Sequence, residues 1–283
     1  MIYIGLSGWG DHDSIYPARL NSKNKLAHYS AHFPIVELDS SFYAIPPERN
    51  SVKWIKDTPD SFQFIIKAYQ GMTGHQRGEI PYESKEEMFD HFKKSIVPYI
   101  NAGKLAMVLF QFPPWFDCTK DNVAYLRWCR EQMGDMPCAL EFRHQSWFSP
   151  SFLKRTLDFM KKEEWIHSIC DEPQAGVGSV PAVLEATSQL KTLVRFHGRN
   201  IEGWKKPASG ENWREVRYLY RYNKNELTEW KKKLEALQRQ TQDIYVIFNN
   251  NSGGDAADNG EEMITLLDLK FKGLAPRQLD FFS

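Results

Sequence analysis

The chain has 283 residues, 42% of them hydrophobic, which suits one large domain with a sizeable core. Its 36 basic and 36 acidic residues balance, excluding a global electrostatic footprint for nucleic acid or membrane and leaving such contacts to a local patch. The four cysteines (Cys118, Cys129, Cys138, Cys170) show no CxxC spacing, and no apolar run nears the ~20 residues of a membrane span; a soluble cytoplasmic protein with buried, reduced thiols is expected.

In chain order, the first apolar strand spans residues 2–6 and the second 35–38. Residues 47–56 read as a helix that stops before Thr58-Pro59, and 62–67 as the third strand. Residues 84–102 carry a helical stripe of Met88, Phe89, Phe92, Ile96 and Tyr99. Ser84 followed by Glu87 predicts a capping box at its start, and Gly103 closes it. Strand four is 105–110, helix 121–133 follows, and strand five is 138–142. Helix 150–162, strand six at 167–170, strand seven at 193–196, helix 227–240, strand eight at 244–248 and helix 259–269 complete the series.

Strands alternating with helices predict a parallel sheet, and eight of them predict closure into an α/β (β/α)8 TIM-barrel-like domain. No linker or repeat divides it, so residues 1–275 form one domain and 276–283 a tail. Residues 171–191 and 198–225 form long loops at the end of the barrel where active sites lie.

Several strands end in polar residues two apart, which share a face. That parity places Glu37, Asp39, Lys67, Gln111 and Glu141 together at the mouth with Arg143, Asp171, Arg195 and His197. Neighbours such as Leu38, Phe110, Leu140, Cys170 and Phe196 fall to the layer beneath the helices. Lys67, Arg143 and Arg195 suit an anionic group, with Gln111 as a neutral partner. Glu37, Glu141 and Asp171 suit general acid–base work, and His197 proton transfer. A structural ion-pair network filling the mouth is the competing account of the same charges.

A divalent metal is not favoured, because cations alternate with the carboxylates and no HExxH motif is present. GLSGWG around Ser7 is not a GxSxG elbow, and phosphate-loop and dinucleotide fingerprints are absent. Trp9, Phe42, Tyr43, Tyr69, Trp115 and Trp147 follow strands, where aromatics either stack on a ligand ring or roof the core. His75 lies in the Gly-flanked loop after strand three. Residues 199–225 hold seven Lys or Arg and five Trp or Tyr, a mix that suits either a nucleic-acid grip or a lid over an anionic metabolite.

The tail residues Gln278, Leu279, Asp280, Phe281 and Phe282 resemble the bacterial sliding-clamp-binding motif. Leu279 and the Phe pair would enter an apolar groove with Gln278 as a polar anchor, unless they pack back on the barrel.

The blocks GLSGW, ELDSSFYAIP, QFPPWF, LEFRHQSW, CDEP, VRFHGRN, YLYRYNKNEL and VIFNNN together resemble the YecE-like family, the domain of unknown function 72, over nearly the whole chain. The resemblance implies a TIM-barrel-like fold and no settled activity. Its characteristic positions add Ser40, Ser41, Phe42, Tyr43, Gly198, Asn249 and Asn250 to the strand-end set. Asp39 stands where the family commonly has Asn, and the aromatic pair that often follows the GW is missing after Trp9.

The leading expectation is a barrel enzyme acting on a phosphate-bearing substrate, DNA among them, with a tail that links it to replication or repair. Catalytic candidates are Glu37, Glu141, Asp171 and His197. Substrate-binding candidates are Lys67, Gln111, Arg143, Arg195, Asn249 and Asn250, with Tyr43 and Trp9. A hydrolase or isomerase of a small anionic metabolite, and a non-catalytic ligand-binding module, are the alternatives the residues leave open.

Overall fold

The computed structural model describes residues 1–204 and 216–276. The tail motif at 278–282 and the middle of the basic, aromatic loop lie outside the described residues.

Eight strands are present among the described residues: β1 Ile2–Ser7, β2 Ile35–Leu38, β3 Gln63–Lys67, β4 Leu105–Gln111, β5 Cys138–Glu141, β6 Trp165–Asp171, β7 Lys191–Phe196 and β8 Asp243–Phe248. They pair in parallel in sequence order, and β8 pairs back with β1, closing the barrel. The expected (β/α)8 architecture is therefore the fold. Ile35, Ile65, Leu109, Ala139, Leu193 and Ile247 fill the barrel interior. Val36, Phe64, Val108, Leu140, Val194 and Phe248 face outward into the larger core beneath the helices. Each such side chain contributes ~1.5–3 kcal/mol on burial.

The helix Lys85–Asn101 begins where its cap predicts: Ser84 Oγ accepts from the Glu87 N–H at 3.1 Å. The reciprocal half differs, because Glu87 accepts from the Glu83 N–H rather than from Ser84. Gly103 ends that region at φ +67°, a left-handed conformation that suits glycine. The helix expected at 227–240 runs from Lys224 to Leu237. Asn223 sets that start, since its side chain accepts from the Asn225 and Glu226 N–H groups while Glu226 reaches back to the Asn223 N–H. Asn223→Ala is expected to cost ~1 kcal/mol in urea unfolding, a loss the intact box prevents. The final helix, Asp255–Leu266, starts one turn earlier than its apolar spacing predicts.

The β6–β7 connection carries no helix, as its composition predicts. Short helices at Lys25–Tyr29 and Ser40–Tyr43 were not legible as periodic segments, being only about one turn long. All four cysteines are unpaired. No helix among the described residues is long and apolar enough to cross a membrane.

Candidate functional site

Parallel partners in register face the same side of the sheet, so the pairing fixes which side chains enter the mouth. Ser7 pairs with Glu37, Gln111 with Glu141, and Cys170 with Arg195. These six point inward. Asp171 pairs with Phe196, which packs in the outer core. The expectation that Asp171 joins the mouth, with Cys170 outside, is therefore corrected: the two exchange places. Asp171 accepts from Arg199 Nε at 2.9 Å on the outer side, where it anchors the loop after β7. Two residues beyond Cys170, Glu172 takes the inward position instead.

The centre of the mouth is a buried ion network. Arg195 Nε donates to Glu37 Oε2 at 2.8 Å. Its Nη1 donates to both Glu141 oxygens, at 2.8 and 3.0 Å, and approaches Gln111 Oε1 at 3.4 Å. Arg143 Nε lies 2.7 Å from Glu141 Oε1, and its Nη1 binds Glu172. Ser168 donates to Glu141 Oε2 at 3.1 Å. The side chains of Arg143 and Arg195 are 1% and 0% exposed, so these guanidiniums are scaffold rather than solvent-facing ligand arms. Burial works to raise the Glu141 pKa, but Arg195 and Arg143 reverse this and hold it well below the ordinary value. Glu37 remains above its ordinary value, since burial outweighs Arg195.

His197 is neutral, because burial and the two guanidiniums drive its pKa well down. Nε2 accepts from Arg143 Nη2 at 3.0 Å, which leaves the ring proton on Nδ1. The Asn249 amide lies 3.0 Å from Nδ1, and this proton requires the amide to present its oxygen. Gly198 then turns the chain at φ +85°, where a Cβ would collide with Tyr220.

Glu172 is pushed up to about 7 by burial, against the pull of Arg143 and of the Val180 N–H that donates to its Oε1 at 2.7 Å. A carboxyl raised by folding stabilises the protein fully below its unfolded pKa and loses that contribution as pH rises through the folded value. Wild type is thus expected to lose stability relative to Glu172→Gln between about pH 5 and pH 8. Urea unfolding of both proteins across that window checks this, and a constant difference contradicts it.

The rim is more open. Lys67 Nζ donates to Asp39 Oδ1 at 3.0 Å, with side chains 13% and 38% exposed. Ser7 Oγ donates to Asp39 Oδ2 at 2.5 Å. Burial raises the Asp39 pKa, yet Lys67, Arg195 and Ser7 more than reverse it, leaving Asp39 low and ionised. Tyr43 is exposed at the rim. Trp9 instead packs edge-on against Trp54 at 5.4 Å. Asn250 is buried away from the mouth, donating to Tyr220 O and Asn259 Oδ1. Trp147 stacks on Phe142 in the outer core, and Tyr69 is also buried.

Two described parts of the long loop after β7 cover the network. Trp204 lies under the Arg143 guanidinium at 5.4 Å and the Arg217 guanidinium at 4.3 Å. Tyr218 lies 5.9 Å from His197. Individual roles for Trp204, Arg217 and Glu172 were not read from the sequence; the basic–aromatic composition of the loop and the second acid of CDEP were the available signals.

Glu141, Cys170 and His197 bring ligand-type atoms within 4.8 Å of one another. The set does not fit a divalent ion. Both Glu141 oxygens and His197 Nε2 already face guanidinium donors, so an ion there would meet two fixed positive charges. Burial also raises the Cys170 thiol well above its ordinary pKa, opposing the thiolate a metal needs.

A family model described as "Protein of unknown function DUF72" matches residues 3–280. UPF0759 protein YunF of Bacillus subtilis (strain 168) is 72% identical over 282 residues, spanning 100% of both chains. UPF0759 protein YecE of Escherichia coli (strain K12) is 25% identical over 158 residues, 56% of this chain and 54% of that protein. A crystal structure of a DUF72 family protein from Enterococcus faecalis V583 aligns with TM-score 0.92 and 40% identity, covering 99% of this chain and 100% of that one. One from Thermotoga maritima MSB8 aligns with TM-score 0.81 and 32% identity, covering 95% and 100%.

Proposed function

We propose, from the premise that the chain belongs to the DUF72 family of proteins of unknown function, that its barrel mouth acts on a phosphate-bearing substrate. The observation that carries this reading is Lys67, a cation 13% exposed at the mouth that the buried guanidiniums of Arg143 and Arg195 also occupy. Burial first, then Lys67, Arg143 and Arg217, drive the His75 pKa down to about 4 against the opposing Glu141. These cations stand at the end of the barrel where barrel enzymes bind substrate.

Lys67 is a mouth cation that reaches solvent, so it makes the direct phosphate contact, with Gln111 and Asn249 as neutral partners. Arg143 and Arg195 contribute field and rigidity. Asp39, ionised and 38% exposed at the rim, is the carboxylate placed to act as a base, while the wholly buried Glu172 holds Arg143. Glu37 and Glu141 hold the guanidiniums in place.

The tail supports DNA as the source of the phosphate, because its Gln278–Leu279–Asp280–Phe281–Phe282 sequence fits the clamp-binding pattern. Calorimetry with a phosphate monoester, with duplex and single-stranded DNA at several salt concentrations, and with the sliding clamp of its own source tests both parts. Binding of the ester supports the mouth reading. A steep salt slope with DNA, and clamp binding lost in a chain ending at Pro276, support the DNA reading. Ester binding with no DNA binding at low salt returns the substrate to a small anionic metabolite.

A further inference from the structure

We propose that the substrate's phosphate adjoins a planar aromatic ring, as in a nucleotide unit, and that Tyr43, Phe42, His75 and Trp115 form the surface on which that ring lies. The inference rests on the phosphate reading above and names the class of substrate.

The four rings come from the loops after β2, β3 and β4, so the barrel rather than local sequence assembles them. Tyr43 and Phe42 lie 5.2 Å apart, Phe42 and His75 5.0 Å, and His75 and Trp115 5.8 Å, each pair edge to face. The result is a row of rings whose planes alternate, so a ligand ring lies flat on one exposed ring and meets the edges of its neighbours. The ends of the row are not core: Tyr43 and Trp115 are each 56% exposed. Large aromatic rings so exposed, side by side with polar groups, mark a contact surface.

The row adjoins the cations. Lys67 Nζ stands 4.8 Å from the centre of the Phe42 ring, and the Arg77 guanidinium 5.7 Å from that of Trp115. A phosphate held by Lys67 therefore lies beside the Phe42 ring, which itself contacts Tyr43 and His75. His75 fits this role because it is uncharged at neutral pH, with Nδ1 tied to Thr73 Oγ1 at 2.9 Å. A neutral, fixed imidazole joins Phe42 to Trp115 in the row. Every base has a π face, so such a row accepts different bases.

The test is the affinity of the full chain for adenosine monophosphate, ribose 5-phosphate and adenosine, measured by calorimetry at low salt. The nucleotide is expected to bind about tenfold or more tighter than the sugar phosphate. Trp115→Ala should cut nucleotide affinity about tenfold, and at least about fivefold more than it cuts that of ribose 5-phosphate. Lys67→Met should weaken both phosphates. Equal binding of nucleotide and sugar phosphate overturns the ring surface and leaves the phosphate reading standing. Equal binding of nucleotide and adenosine keeps the rings and overturns the phosphate reading. No binding of any probe overturns both. A single-stranded oligonucleotide separates the sources: a steep salt slope and tighter binding than the monomer identify a polymer, and affinity equal to the monomer identifies a free nucleotide.

Discussion

Arg195→Met is expected to lose about 3–5 kcal/mol of stability, a large part of what a domain of this kind possesses. Arg195 is wholly buried and lies between Glu37 and Glu141, whose side chains are also 0% exposed. Methionine fills similar volume but leaves two carboxylates without their main partner. They must then ionise in an apolar setting or take up protons, and either route is costly. Urea unfolding at neutral pH measures the loss. A companion variant carrying Glu37→Gln, Glu141→Gln and Arg195→Met separates pairing from packing. Removing the carboxylate charges should restore part of the stability, as neutral replacements of buried ion networks can. A loss below about 1 kcal/mol for Arg195→Met would show that water or relaxation satisfies the carboxylates.

Lys67→Met is expected to do the reverse: weaken phosphate-ester binding by about tenfold to a hundredfold while changing stability little. Lys67 and Asp39 form a partly exposed pair, and such pairs contribute little to folding. Toward a phosphate the same ammonium makes a charge-assisted hydrogen bond, in a mouth that also holds Arg143 and Arg217. Titrating wild type and variant with one phosphate monoester, beside their urea unfolding, measures both effects. Unchanged affinity together with a large stability loss would make Lys67 part of the scaffold. The contrast with Arg195 is the physical content of the site: buried guanidiniums hold the shape, and the rim lysine meets the ligand.

Most of this arrangement was legible in the sequence. Apolar runs ending in charge gave the strand count, the barrel and the inward set of Glu37, Lys67, Gln111, Glu141, Arg143, Arg195 and His197. Parity failed on β6, whose described extent, Trp165–Asp171, exceeds the expected strand at both ends. A strand buried throughout offers no polar alternation to phase it, so one step exchanged Asp171 with Cys170 and hid Glu172. The cover formed by Trp204, Arg217 and Tyr218 comes from irregular chain, where composition signals a role and periodicity cannot place it. Asp39, a departure from the family's common Asn, is accounted for locally: its carboxylate accepts from both Ser7 and Lys67.

The most direct test of phosphate binding at the mouth is the titration of the His75 imidazole by NMR in the full chain, with and without saturating phosphate monoester. The account predicts a midpoint near 4 in the free protein. It also predicts a clear upward shift when bound phosphate neutralises the surrounding cations. A midpoint near the ordinary 6.5 that ligand leaves unchanged would contradict it.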